Sequence, residues 1–581
     1  MDLGDPMKRL SQGGKQLITR LFTAFSAAAA LAAALVPGPV AARADQTTDT
    51  ASGRPNYLVI VADDLGWSDL GSFGGEIETP HLDALALAGI RFTGFHTAPA
   101  CSPTRAMLMS GVDSHQAGLG TMAELADDAT RGAAGYETYL NDRVASIAEL
   151  LGAGGYLTLM AGKWHLGLTP DREPAARGFE RSFALLEGAA NHFGADQRAA
   201  WRRAGLSPGY REDGKPVRFP AGAYSSDYLV DRMIGFLEDG ARAGDDRPFF
   251  AYLAFTAPHW PLQAPRPLIE KYRGRYDMGY DALREARLAG QKRLGLIPAD
   301  TVPHAMTGVR PWHSLDAEER AHQARRMEVY AAMVDGMDRN VGRLVAVLKR
   351  LGRYDDTVIL FLSDNGAAGN PRATPDHRHR GPPDRRLGID NSLDNIGNAG
   401  SYVSYGPGWA QAASAPSRLM KGYPAQGGMR VAAFAAGRGV AGKRIVHVTV
   451  DVRDVAPTLL DLAGLVQPAT FAGRPVLRHQ GRSLGPLLRG EANWVRPPDE
   501  PLGYELLFHR ALRKGDWKAL YLREQSEGTP EGKPRWQLFH IARDPGETED
   551  LADAEPEKLR ELVGDYEAYA KAKGVVPPPD E

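Results

Sequence analysis

The sequence predicts an α/β fold in which a large, mostly parallel or mixed sheet is sandwiched by helices. Short apolar runs rich in β-branched residues recur along the first 490 residues, and segments with helical periodicity lie between them. This alternation is typical of a parallel sheet that is covered on both faces. Beyond about residue 490 the alternation stops, which predicts a smaller C-terminal α+β domain containing an antiparallel sheet.

The strands and helices follow one another in the order that this fold requires. The first strand, Tyr57 to Ala62, is apolar throughout, and the helix over Thr79 to Ala88 has a threonine cap and a proline in its first turn. Further strands are predicted at 90–93, 156–160, 248–256, 356–363 and 446–450, and further helices at 146–151, 228–237, 327–351 and 457–463. In the C-terminal domain, residues 491–581, the sequence predicts a hairpin of strands at 512–522 and 536–541 and a terminal helix from about Glu555.

The composition is that of an ordinary globular protein. Hydrophobic residues make up 43% and charged residues 24% of the 581 residues, and 69 Lys and Arg nearly balance 71 Asp and Glu. This balance gives no electrostatic reason for a nucleic-acid partner or for an anionic membrane surface. Basic residues that bind an anionic substrate must therefore be clustered locally. Cys101 is the only cysteine, so an internal disulfide is excluded.

The N-terminal segment has the features of a secretory signal peptide. Basic residues precede an apolar run from Leu21 to Val36, and Ala42-Arg43-Ala44 supplies the small residues of a cleavage site. A retained membrane anchor is the alternative, but the run is shorter than the roughly 20 residues that a spanning helix needs. We therefore expect a signal peptide over residues 1–44 and a catalytic domain over residues 45–490. The mature protein is expected to be periplasmic or secreted, free of the membrane and monomeric.

Polar side chains follow the ends of several predicted strands. In open α/β sheets, ligands bind beyond the carboxyl ends of the strands, so these side chains are expected at one edge of the sheet. Each of them alone could also be an ordinary polar residue of a loop. The residues in these positions are Asp63, Asp64, Lys163, His165, His259, Asp364 and Asn365.

Three carboxylates and one amide in this group form a set of hard oxygen ligands. Oxygen ligands of this kind suit Ca²⁺ or Mg²⁺ better than a soft metal. No contiguous EF-hand loop is present, so the site would be assembled from distant segments, and two unrelated acidic strand ends are the alternative. The four candidate ligands are Asp63, Asp64, Asp364 and Asn365.

Cys101 begins the segment C-S-P-T-R, and Arg105 lies one helical turn beyond it. The lone cysteine is compatible with a buried inert thiol, a thiolate nucleophile or a modified residue. Lys163 and His165 alternate in an extended segment, which would point both side chains to one side. Lys421 lies shortly before a pair of glycines, where a structural role is the alternative to a functional one.

The chain resembles type I sulfatases, bacterial arylsulfatases in particular, within the alkaline-phosphatase-like superfamily. The matching segments are N-Y-L-V-I-V-A-D-D-L-G from Asn56, C-S-P-T-R from Cys101, G-K-W-H-L-G from Gly162, A-P-H-W-P from Ala257 and S-D-N-G from Ser363. The segments R-L-M-K-G-Y from Arg418 and Q-G-G-M-R-V from Gln426 also match. The chain departs from the family at Gln426, where many sulfatases carry Glu, and at Ala432, where many carry Pro.

The resemblance implies a modified nucleophile and a bound metal. Cys101 would be converted by a maturase to formylglycine, and a hydroxyl of the hydrated aldehyde would attack the sulfur atom. One Ca²⁺ would be bound by Asp63, Asp64, Cys101, Asp364 and Asn365.

The resemblance also implies roles for the remaining polar residues. Asp364 would be the base for the attacking hydroxyl, and His259, together with Lys421, would protonate the leaving oxygen. His165 would then take a proton from the second hydroxyl, so that sulfate is expelled. Charge on the sulfuryl oxygens would be balanced by Arg105, Lys163 and Lys421.

These implications predict a hydrolase that releases sulfate from small-molecule aryl or related esters. A phosphonate or phosphate monoester hydrolase of the same superfamily is the first alternative. An exported protein that binds sulfated ligands without turnover is the second. The long Gly-, Pro- and Asn-rich segment 366–408 is expected to shape the substrate entrance, although a solvated loop is the simpler interpretation.

Overall fold

The computed structural model describes residues 53–369, 387–523 and 534–579, so the predicted signal peptide at 1–44 lies outside the described residues. The described residues all belong to one compact unit. It contains a ten-stranded sheet with helices on both faces and, later in the chain, a four-stranded antiparallel sheet. The predicted fold class is therefore confirmed. Within the described ranges, no helix has the length and apolar character needed to span a membrane.

The large sheet has the strand order β10-β2-β9-β8-β1-β7-β3-β4-β5-β6. Strand β1 pairs in parallel with β7 and β8, whereas β9 is antiparallel to both β2 and β8, so the sheet is mixed. The strands are β1 Asn56–Ala62, β2 Ile90–His96, β3 Leu157–Lys163, β4 Arg181–Leu185, β5 Tyr210–Glu212, β6 Lys215–Val217, β7 Phe249–Ala254, β8 Thr357–Ser363, β9 Ala433–Gly437 and β10 Arg444–Asp451.

Strand β1 is apolar throughout because both of its faces are buried. Alternate side chains of a strand point to opposite faces of the sheet, and a parallel strand covered on both sides has no solvent face. One core receives Leu58, Ile60 and Ala62, and the other receives Tyr57, Val59 and Val61.

Fourteen α-helices are present in the part of the chain that the structure describes. The long helix α9 begins at a capping box formed by Asp316 and Glu319, and α4 begins at one formed by Ser146 and Glu149. The helices are α1 Pro80–Ala88, α2 Cys101–Ser110, α3 Ser114–Ala117, α4 Ile147–Ala153, α5 Ala199–Arg203, α6 Ser225–Arg242, α7 Arg266–Lys271, α8 Gly279–Arg293, α9 Ala317–Arg350, α10 Gly406–Ala413, α11 Gln426–Met429, α12 Val455–Leu462, α13 Gly485–Leu488 and α14 Pro556–Lys573.

The C-terminal sheet has more strands than the sequence predicts. The expected single strand at 512–522 is wrong, because Gly515, with φ 58°, forms a turn that divides it. Strand β13 was not expected from the sequence. Two short strands, β11 Thr470–Phe471 and β12 Arg474–Pro475, pair with each other before this sheet. The strands of the sheet are β13 Pro501–Leu506, β14 His509–Lys514, β15 Trp517–Tyr521 and β16 Trp536–His540, and helix α14 packs on them. The domain boundary at residue 490 stays a prediction.

The predicted loop at 366–408 is only partly described. Residues 370–386 lie outside the described ranges, residues 387–405 form turns and irregular structure, and α10 begins at Gly406. Its predicted effect on the substrate entrance stays a prediction.

Candidate active site

The carboxyl ends of neighbouring strands bring the predicted polar side chains to one edge of the sheet. Asp63 and Asp64 follow β1, Asp364 and Asn365 follow β8, and Lys163 is the last residue of β3. Because β8, β1, β7 and β3 are consecutive neighbours in the sheet, residues 300 positions apart in sequence come into contact.

Cys101 is the first residue of α2 and is buried, with 1% of its surface exposed. Its Sγ lies 3.5 Å from Asp63 Oδ1, 3.8 Å from Asp64 Oδ1 and 3.1 Å from Lys421 Nζ. Burial, and next the charge of Asp364, raise the pKa of the thiol well above its usual value. The encoded side chain is therefore a neutral thiol, which argues against the thiolate nucleophile.

Two ion pairs fix the carboxylates at the end of β1 and β8. Lys163 Nζ donates to both oxygens of Asp63, at 2.9 and 2.8 Å. Burial raises the pKa of Asp63 to about 7, against the opposing effect of Lys163. Arg105 donates to Asp364 Oδ2 through Nε at 2.9 Å and Nη2 at 2.7 Å, and to the carbonyl of Lys163 at 2.9 Å. Arg105 thus holds Asp364 and the end of β3 in place.

Asp64 has a left-handed backbone, with φ 69°, which is rare for a residue other than glycine. Its Oδ1 accepts hydrogen bonds from Asn365 Nδ2 at 2.7 Å and from Lys421 Nζ at 2.6 Å. Its Oδ2 lies 3.4 Å from His259 Nε2. Asp64 therefore joins the segments after β1, β7 and β8.

His259 and Asp64 present two hydrogen-bond acceptors to each other, a contact that is stable only with a proton or a cation between them. Its Nδ1 lies 2.6 Å from the carbonyl oxygen of Trp260 and donates to it. Burial lowers the pKa of His259 well below its usual value, so the neutral ring presents the lone pair of Nε2 to Asp64 Oδ2. Two acceptors 3.4 Å apart need a proton or a cation between them.

The cluster has the ligand atoms and the unsatisfied oxygens that a metal ion would need. Asp63, Asp64, Cys101 and His259 offer ligand atoms that all lie within 4.8 Å of one another. Asp64 Oδ2 and Asn365 Oδ1 are buried and have no hydrogen-bond partner among the described residues. Buried oxygens without a partner are uncommon unless an ion or water satisfies them. Asp364 lies outside this group of four ligands.

His165 has a neighbour that the sequence analysis did not find. Its Nε2 lies 2.9 and 3.1 Å from the two carboxylate oxygens of Glu124, which is part of a short 3₁₀ helix, Ala123–Leu125. A carboxylate accepts only, so Nε2 carries the hydrogen and Nδ1 presents a lone pair. Nδ1 is buried with no partner in the described part of the chain, and burial lowers the pKa of His165. The ring is thus a neutral base.

Gly188 makes room for this pair. A Cβ at position 188 would lie 2.6 Å from His165 Cε1 and 2.6 Å from Glu124 Oε1, closer than real Cβ contacts. Glu124 carried no sequence signal, because its loop has no strand end or periodic pattern before it. The contact between Glu124 and His165 spans 41 residues.

A family model for sulfatases matches residues 55–465. The chain belongs to the sulfatase family. It is 46% identical over 542 residues to an uncharacterized sulfatase of Schizosaccharomyces pombe, covering 91% of this chain and 96% of that protein. It is 41% identical over 434 residues to an arylsulfatase of Klebsiella aerogenes, covering 74% of this chain and 91% of that protein.

Solved structures are similar in fold. The structure of Ps i-CgsB with k-i-k-neocarrahexaose has a TM-score of 0.62 and 25% identity, covering 89% of this chain and 93% of that chain. The PsFucS1 sulfatase from Pseudoalteromonas sp. has a TM-score of 0.59 and 20% identity, covering 90% and 91%. The predicted family is confirmed, and the sulfatase is a hydrolase of sulfuric esters.

Proposed function

We propose that this sulfatase hydrolyses aryl sulfate monoesters, with Cys101 in its formylglycine form and one Ca²⁺ bound by Asp63, Asp64, Asp364 and Asn365. The contact of Cys101 Sγ with Asp63, Asp64 and Lys421 inside the buried cluster is the observation that supports this proposal most. The similarity to the arylsulfatase of Klebsiella aerogenes supports the aryl leaving group.

The fixed charges of the cluster nearly cancel, so a bound divalent cation would give the site the net positive charge that attracts an anionic ester. Three carboxylates, Asp63, Asp64 and Asp364, are in contact with three cationic side chains, Arg105, Lys163 and Lys421, so their charges cancel. The modified residue would supply a hydroxyl nucleophile, and a bound cation would polarise the sulfuryl group. Lys163 and Lys421 then balance negative charge on the sulfuryl oxygens from preorganised positions.

The two histidines fit different proton transfers. His165 presents the lone pair of Nδ1, with its tautomer fixed by Glu124, and is suited to accept the proton that sulfate elimination releases. We assign protonation of the leaving oxygen to Lys421 and His259 together. Burial lowers the pKa of His259 well below its usual value, so the ring is neutral near pH 7 and Lys421 Nζ is the group that would supply the proton. A phenoxide needs less protonation than an alkoxide to leave, so this environment favours an aryl ester.

Burial of Cys101 constrains when it is modified. Only 1% of its surface is exposed, and every residue of α2 is buried. A maturase therefore acts on the chain before it folds. We also propose that residues 1–44 direct export and are removed, which places the monomeric enzyme in the periplasm or outside the cell.

Peptide mass spectrometry combined with rate measurements tests the proposal. Protein from its native host should yield a peptide with formylglycine at position 101, bound Ca²⁺ in elemental analysis, and rapid sulfate release from 4-nitrophenyl sulfate. The Cys101→Ala variant is the control and should lose turnover. An active preparation with unmodified Cys101 contradicts the mechanism. Faster hydrolysis of 4-nitrophenyl phosphate or of a phenylphosphonate ester than of the sulfate ester supports the alternative activity.

A further inference from the structure

A second cluster of positive charge lies in a cavity of about 440 Å³ that the proposed reaction does not use. The cavity is formed by strands β2, β10 and β14, by helix α11 and by the segment after α8. Its polar lining includes Thr93, His96, Arg430, His447, Arg513 and Asp516. None of these residues belongs to the predicted active-site set.

Arg430 is buried in this lining without a counter-ion. Only 6% of its surface is exposed, its Nε donates to the carbonyl of Thr93 at 2.7 Å, and its Nη1 has no hydrogen-bond partner among the described residues. The guanidinium stacks on Trp67, 3.7 Å from the ring centroid. Burial, and then repulsion from Arg513, lower the pKa of Arg430 to about 9. A buried charge of this kind is normally paired.

Arg513 adds a second guanidinium to the same lining. Its Nη1 lies 3.1 Å from His96 Nε2, and its Nε donates to the carbonyl of Gly515 at 3.2 Å, so both groups contact neutral partners. In the described ranges, neither Arg430 nor Arg513 has a carboxylate within ion-pair distance. Asp516, the carboxylate in the lining, is exposed and forms no ion pair with either arginine. Burial lowers the pKa of Arg513 to about 10.

The other acidic group beside this cavity is already paired. Glu547 lies 2.7 Å from Lys518 Nζ, and its other oxygen accepts from the backbone N–H of Gln426 at 2.8 Å. Position 426 carries a neutral amide, whose Oε1 lies 3.0 Å from His96 Nε2. The cavity therefore keeps an excess of positive charge.

We propose that Arg430 and Arg513 form an accessory site for a sulfate or phosphate group, separate from the active site. Two guanidinium groups that line one cavity supply N–H donors of the kind that a tetrahedral oxyanion accepts from. A neighbouring cavity of about 220 Å³ shares His447 and Arg513 and is lined by Trp494, whose side chain is 64% exposed. An exposed indole there would pack against the sugar ring of a sulfated saccharide, but an inorganic ion does not need it.

Calorimetric titration with sodium sulfate tests the site, with sodium chloride of equal ionic strength as the reference. The wild-type protein should show a class of sulfate site besides the active site, and Arg513→Gln should weaken that class about tenfold or more, as expected for the loss of a charged donor. Arg513→Gln should keep kcat/KM for 4-nitrophenyl sulfate within about twofold. Arg438→Gln, which removes the same charge at an ion pair with Asp356 outside the cavity, should keep both classes.

A second variant and a second ligand sharpen this test. Gln426→Glu adds a carboxylate to the lining without removing an arginine, and it should weaken the accessory class as well. Glucose 6-sulfate should bind more tightly than inorganic sulfate if the source is a saccharide, and Trp494→Ala should remove that advantage alone. Equal affinities for the two ligands assign the site to the free ion.

A direct measurement needs no variant. Wild-type crystals soaked in sodium selenate should show an anomalous peak in contact with both Arg430 and Arg513. The absence of selenium there, or sulfate isotherms that are identical for the wild type and Arg513→Gln, would overturn the proposal.

Discussion

His115 is predicted to couple the stability of the fold to pH between neutral and alkaline conditions. It lies in α3, shortly after the helix that begins at Cys101, and its Nδ1 and Nε2 each lie 3.0 Å from a carboxylate, of Asp113 and Glu505 respectively. Both ring nitrogens must donate, so the ring is a buried cation that connects α3 to strand β13. Although burial alone opposes the charge, the bonds to Asp113 and Glu505 raise its pKa to about 9.

The magnitude follows from this pKa. A rise from 6.5 to about 9 corresponds to about 3 kcal/mol of stability. Because the folded pKa lies above the unfolded one, this contribution is complete below pH 6.5 and is lost as the pH rises through about 9. For a folded chain of roughly 530 residues, the unfolding entropy is about 1 kcal/mol per kelvin, so the melting temperature changes by about 2–3 °C.

The substitution His115→Gln keeps one hydrogen bond and removes the ionisable group. Thermal unfolding of the wild type and the variant is followed by circular dichroism from about pH 7 to pH 9.5. The wild type should melt higher at pH 7, and its advantage should shrink by about 2 °C toward pH 9.5.

His479→Gln is the matched control. His479 is half-buried, and burial lowers its pKa to about 4, so it stays neutral over this range. Its difference from the wild type should not change with pH. Parallel melting curves for the wild type and His115→Gln across the range would refute the assignment of a charged His115.

Three further predictions concern the active site. Glu124→Gln should lower kcat for 4-nitrophenyl sulfate about tenfold or more with KM nearly unchanged. It should also move the acidic limb of the kcat–pH profile to lower pH, because the carboxylate of Glu124 raises the pKa of His165. Gly188→Ala should reduce kcat similarly and shift the acidic limb in the same direction, because its Cβ would displace Glu124 from His165. Asp64→Asn should contain little bound metal in elemental analysis, and its kcat should fall about 10²-fold or more. Its circular dichroism spectrum should stay native-like. Full metal content in this variant would contradict the ligand set.

The sequence predicted the parts of the fold that have a strong local signal. Strand β1 is buried on both faces, so its apolar run stops abruptly at Asp63, and the same pattern marks β8 before Asp364. Strand β9, with the sequence A-F-A-A-G, has neither alternation nor β-branched residues, and its antiparallel place between β2 and β8 is decided by tertiary packing. The turn at Gly515 was missed because the predicted strand runs through Lys514-Gly515-Asp516, a polar interruption that is typical of a turn.

The residues of the candidate active site also divide into those with a local sequence signal and those without one. Lys163, His259 and Asp364 could be found because each lies at or just beyond the end of an apolar strand, which the topology brings to one edge. Glu124 could not be found in this way, because its position depends on how a loop folds back over His165. Arg430 and Arg513 are 83 residues apart and are brought together only by the packing of the C-terminal sheet on β2.

The two clusters of positive charge differ in how they are compensated, and this difference separates their functions. In the active site each of Arg105, Lys163 and Lys421 has a carboxylate within 2.9 Å, so the site is near neutral until a cation binds. In the accessory cavity position 426 carries a neutral amide, and in the described ranges neither arginine has a carboxylate within ion-pair distance. We therefore infer that the first cluster recruits its anion through a bound metal, whereas the second has the charge to bind an anion directly.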